Sequence, residues 1–153
     1  MRELRSVVQL IIFMILGTLM MVSPAQAAES CHKINAKGVG RDLGGGLTEA
    51  RIIGGGLLHG TTEGNFTVIG FSGTVASFVG TVEFTTRQGT LTVTVAGTLD
   101  VATGEFSAAG TVTGATGNLA GATGDLSFEG LEDLADGSFV EDVTGEICVD
   151  LAP

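Results

Sequence analysis

From residue 28 onward, apolar and polar residues alternate at every second position between glycine-containing turns. Leu91, Val93, Val95 and Leu99 share one parity, and Thr90, Thr92, Thr94 and Thr98 the other. Val82 and Phe84 alternate with Thr81, Glu83 and Thr85, while Phe106, Ala108, Gly110 and Val112 alternate with Ser107, Ala109, Thr111 and Thr113. Val143, Gly145, Ile147, Val149 and Leu151 alternate with Thr144, Glu146, Cys148 and Asp150. A two-residue period places one face in a core and the other in water, which is the signature of a strand. The pattern predicts strands at 34–40, 50–59, 65–71, 75–86, 90–99, 105–113, 118–130 and 139–150.

A short motif accompanies the turns: Thr-Gly, a polar residue, then a large apolar one. It occurs as TGEF (103–106), TGNL (116–119), TGDL (123–126) and TGEI (144–147), with EGNF (63–66) as a variant. Glycine supplies the positive φ of a tight turn and the apolar residue opens the next inward face. Many short strands joined by such turns predict an antiparallel barrel or sandwich. Residues 28–153 hold 24 of the 25 glycines, which favours the barrel, because sharply coiled strands need glycine at their corners.

The amino end departs from this pattern. Arg2 and Arg5 outweigh Glu3, an uncharged apolar run follows from Leu10 to Val22, and Ala25-Gln26-Ala27 gives a small-x-small cleavage pattern. The run is shorter than the roughly 20 residues of a spanning helix. Residues 1–27 are therefore expected to be a signal peptide, with a mature chain from Ala28 that is secreted or periplasmic and has no stable membrane insertion. Lipidation at Cys31 fits less well, since Glu29 and Ser30 precede it.

Without Arg2, Glu3 and Arg5, the seven basic and 17 acidic residues become five and 16, a net charge of −11. That charge repels a phosphate backbone and an anionic bilayer, so nucleic acid and membrane surface are excluded as partners. Cys31 and Cys148 stand near opposite ends of the mature chain. An even count outside the cytoplasm predicts a disulfide, the alternative being two free thiols. In a closed barrel the terminal segments are neighbours, so one bridge would fasten the seam. Two cysteines and two histidines, separated along the chain, do not make a metal site.

The stretch AAGTVTGATGNLAGATGDLSFEG (108–130) resembles the signature of the allene oxide cyclase and dirigent barrel superfamily. Thr113-Gly114-Ala115-Thr116-Gly117 stands where those proteins carry a Thr-Gly-Gly-Thr-Gly-like turn. Gly121-Ala122-Thr123-Gly124 stands at their Gly-Ala-x-Gly segment, with Leu119 between. The resemblance implies an eight-stranded antiparallel barrel, lipocalin-like in shape, whose interior can hold a small hydrophobic molecule. Its turns match and its reactive groups do not: the chain has no tyrosine or tryptophan, and no catalytic position of the family carries over.

Candidate chemistry is sparse. His32 adjoins the expected disulfide, and His59 lies in LLHGTT at a strand end, a place for a solvated histidine. The GGG runs at 44–46 and 54–56 do not match GxxxxGK[ST], so no cofactor is expected. Eight acids lie between Glu129 and Asp150. Glu132, Asp133 and Asp136 beside Gly137 could begin a calcium site, or form a solvated acidic hairpin. Phe84, Phe106 and Phe128 fall on inward parity with small residues such as Ala108 and Gly110. They are the expected ligand-binding residues if the barrel is open, and the core if it is filled. Three functions follow: a binding module for a small hydrophobic molecule, an isomerase or cyclase acting on one, or a structural module. A buried carboxylate or histidine facing an open cavity favours the enzyme, a dry phenylalanine-lined cavity the binder, and no cavity the structural module.

Overall fold

The computed structural model describes residues 30–151. The expected signal peptide and the cleavage point before Ala28 lie outside the described residues. Eight antiparallel strands follow one another round a closed barrel. They are β1 (Ser30–Gly44), β2 (Leu47–Gly54), β3 (Gly60–Ser72), β4 (Val75–Thr86), β5 (Thr90–Asp100), β6 (Glu105–Ala115), β7 (Thr123–Glu132) and β8 (Ser138–Val149). Each pairs with its neighbours in sequence, and β1 closes on β8 from Ser30↔Val149 to Arg41↔Ser138.

Several expected bounds are corrected: β1 and β3 are longer than the expected 34–40 and 65–71, and β2 begins at Leu47 rather than 50. The segment expected as a strand over 50–59 ends at Gly54, because Gly54, Gly55 and Gly56 all take positive φ and lead into a 3-10 turn, Gly56–Leu58. Likewise 118–122 is not strand but the continuation of a second 3-10 turn, Gly117–Leu119. Both turns plug the same end of the barrel: Leu58 and Leu119 are fully buried among Ile52, Leu91, Ile147 and Val149. The second turn is tied to the β4–β5 hairpin, where Asn118 N–H donates to the Gln88 carbonyl at 2.7 Å and Asn118 Nδ2 to Gln88 Oε1 at 3.0 Å.

The Thr-Gly motif also divides in two. Gly104 and Gly117 sit in turns as expected, but Gly124 and Gly145 lie within β7 and β8. These two strands run against each other there, with Gly124↔Ile147 and Leu126↔Gly145 in register. A Cβ on Gly124 would strike the Glu146 carbonyl, and one on Gly145 the Asp125 carbonyl. Close approach of two strongly coiled strands, rather than a turn, accounts for these copies.

Cys31 and Cys148 face each other directly across the β1–β8 seam and are joined, with Cα atoms 3.9 Å apart. Cys148 stands between the buried Ile147 and Val149, so the bridge lies on the outer wall. A disulfide of this kind is consistent with an extracytoplasmic protein.

Candidate functional site

The plugged half of the barrel is solid. Phe84 is fully buried there, its ring centroid 6.3 Å from that of Phe128, within a core that includes Ile34, Val93, Leu126 and Val143. The other half is hollow. A cavity of about 250 Å³ opens toward the end that carries the β1–β2, β3–β4, β5–β6 and β7–β8 turns. Val82, Val95, Phe128 and Thr62 line its deep part, and Phe66, Phe78, Phe106 and Phe139 line its walls. Of the phenylalanines expected to bind a ligand, Phe106 and Phe128 therefore line the cavity, whereas Phe84 lies in the solid core beneath it.

The register explains why large side chains leave this half empty. Phe66 pairs across strands with Gly80, Phe78 with Gly97, Phe106 with Gly130 and Phe139 with Gly40. A Cβ on Gly97 would come within 2.7 Å of the Phe78 ring, and one on Gly40 within 2.5 Å of the Phe139 ring. A Cβ on Gly80 or Gly130 would likewise meet the Phe66 or Phe106 ring. Each ring folds flat against the wall over the space that a neighbouring side chain would occupy, as aromatics do over strand glycines. Edge-on contacts fix them in pairs, Phe66 with Phe78 at 5.3 Å and Phe106 with Phe139 at 5.9 Å between centroids.

One position in this pattern carries a carboxylate. Glu141 pairs with Gly38, and a Cβ on Gly38 would sit 2.5 Å from both Glu141 Cγ and Oε1. Its side chain is thus folded against the wall beside Phe139 and faces the cavity. Burial pushes its pKa up from 4.5 to about 7, since ionisation among apolar neighbours forfeits hydration. Asp42 on β1 and Glu132 on β7 line the same cavity nearer the rim, so the three acids come from adjacent strands. Glu132 is raised as well, first by desolvation and then by the negative charge of Asp42.

The remaining acids of this region do other things. Asp133 Oδ1 accepts from Ala135 N–H at 2.9 Å and Asp136 Oδ1 from Ser138 N–H at 2.8 Å, fixing the β7–β8 turn. Glu132 turns inward, so Glu132, Asp133 and Asp136 do not converge on one point as a calcium site requires. Asp142 pairs with Lys37 on the outer wall. His59 is exposed outside the cavity, and Ser30 Oγ lies 3.0 Å from His32 Nε2 at the plugged end.

Glu141 had a legible signal: it shares the parity of Val143, Ile147 and Val149. Its place in a run of acids masked that parity, and its glycine partner emerges only from the register. Compared with protein-family models, curated proteins and solved structures, the chain matches none.

Proposed function

We propose that this protein is exported and binds a small apolar molecule inside the hollow half of its barrel. The observation that carries the reading is the cavity of about 250 Å³, walled by phenylalanines held flat over glycines. An apolar cavity of roughly 150 Å³ suffices for benzene, so this one has room for a ring and a short chain. Removing the ligand's apolar surface from water supplies the driving force. Export is supported by the amino-terminal pattern and by the Cys31–Cys148 bridge. Kinship with the allene oxide cyclase and dirigent barrels belongs to the same proposal, supported by the turn residues of 108–130 and by the barrel itself.

Glu141 favours a second reading, an isomerase. A carboxyl group that titrates near neutrality inside an apolar cavity can take a proton from one carbon of a ligand and return it to another. Binding has priority because the cavity walls are fully accounted for without chemistry.

One experiment addresses both readings. The neutral ketone phenylbutanone, a ring on a short chain with acidic C–H beside its carbonyl, is titrated calorimetrically into wild-type protein and into Phe106→Trp, in deuterated buffer, and then recovered. Binding by wild type, weakened about tenfold or more by the bulkier indole, with the probe recovered unchanged, is the expected result. Absence of binding by wild type would turn the assignment to a structural module. Carbon-bound solvent deuterium in the recovered probe, beyond that of a protein-free control, would turn it to the isomerase.

A further inference from the structure

Five phenylalanines and three carboxylates line one cavity, and no basic side chain does. Lys33, Lys37 and Arg51 are exposed on the outer wall and Arg87 in the β4–β5 turn, while Arg41 stands at the open end with outward parity, paired in register with Ser138 and acting on Asp136 rather than lining the cavity. Resting on the binding reading above, we infer that the ligand is an apolar cation, a protonated amine on an aromatic or aliphatic body, held with its charge beside Glu141, Glu132 and Asp42.

The lining discriminates among the three charge classes of apolar molecule. A carboxylate-bearing ligand, such as a fatty acid, would bring a further negative charge to a mouth where Asp42 already disfavours ionisation of Glu132. A neutral ligand would gain the apolar contact and leave the three acids without a counter-charge in the cavity. A protonated amine gains the same contact, can lie against ring faces that attract cations, and meets acceptors at the rim. Asp42, Glu132 and Glu141 are the titratable groups that face this space, from β1, β7 and β8.

Glu141 makes the inference measurable. Near neutrality a share of its carboxyl groups is protonated. An ammonium seated beside it favours the ionised form, so binding expels that proton to the buffer as the ion pair forms. The protein side of the balance is one carboxyl proton released for each carboxylate paired.

The test is calorimetric titration of full-length mature protein with phenylbutylamine, phenylbutanol and phenylbutyrate, which differ in charge and little in shape. At about pH 8 the amine should bind at least about tenfold more tightly than the alcohol, the scale of one charged contact, and phenylbutyrate more weakly than both. At about pH 6, two buffers of different ionisation heat should reveal proton release on binding the amine and none on binding the alcohol. Glu141→Gln should reduce the release and narrow the amine's advantage over the alcohol, both ligands being measured on that variant. If that variant does not fold, the wild-type series decides alone. An alcohol that binds as tightly as the amine, or a phenylbutyrate that binds more tightly than either, overturns the cation and leaves the apolar cavity reading standing. Failure of all three probes to bind overturns both.

Discussion

Glu141 stands where the barrel's own pattern calls for an aromatic ring, and its carboxyl group is held by burial rather than by a partner. With a folded pKa of about 7 against an ordinary 4.5, the folded protein keeps a proton that the unfolded chain has lost. Stability contributed by this group is therefore complete below about pH 4.5 and falls as pH rises toward 7. The full loss would be at most roughly 3 kcal/mol, and contact with solvent at the mouth reduces it. Denaturant unfolding across this range should show stability declining in wild type more steeply than in Glu141→Gln. Gly38→Ala should lessen the slope as well, because the new methyl group displaces the flexible Glu141 side chain from the wall toward solvent. Equal slopes in all three proteins would mean that the carboxyl is not buried against Gly38.

At the scale of elements, alternation made most of the barrel legible. Strands β4 to β8 carry Val, Leu, Ile or Phe at regular inward positions, and the expected spans and faces there agree with the structure, apart from the start of β7. β1 to β3 were harder, because inward positions such as Gly38, Gly40, Gly60 and Gly64 have no side chain to mark the period. β1 runs from Ser30 to Gly44 beyond the expected 34–40, because Ser30, His32 and Asp42 put polar side chains on its inward parity and break the alternation. The cavity was legible only in part: the inward parity of Phe106 and Phe128 pointed to two of its lining residues, but not to Phe66, Phe78, Phe139 or Glu141 or to its place in one half of the barrel. It depends on which glycine faces which ring, and register between strands is set by the assembled sheet. The seam does follow from sequence, and it carries a prediction. Cys31 and Cys148 are 117 residues apart, so in the chain-entropy model their bridge stabilises the fold by up to about 5 kcal/mol. Changing both to serine should lower the melting temperature while circular dichroism retains the strand signal, since the β1–β8 ladder persists. Loss of the strand signal at low temperature would mean that the ladder cannot close the barrel without the bridge.

The whole molecule is divided along its axis: a solid half closed by Leu58 and Leu119, and a hollow half lined by rings and acids. The solid half holds the residues with complete burial, so stability and ligand space are separated in one small domain. The outer wall offers a competing place for apolar molecules, since Val39, Val140 and Leu131 adjoin across β1, β8 and β7 and are all about half exposed. The measurement that separates interior from exterior is a heteronuclear NMR titration of isotope-labelled protein with the neutral probe phenylbutanol. The account predicts shifts at Thr62, Val82, Val95, Ala108 and Phe128, and none at Ile52, Leu91, Leu119 and Ile147. Shifts confined to Val39, Leu131 and Val140, or no shifts at all, would contradict it.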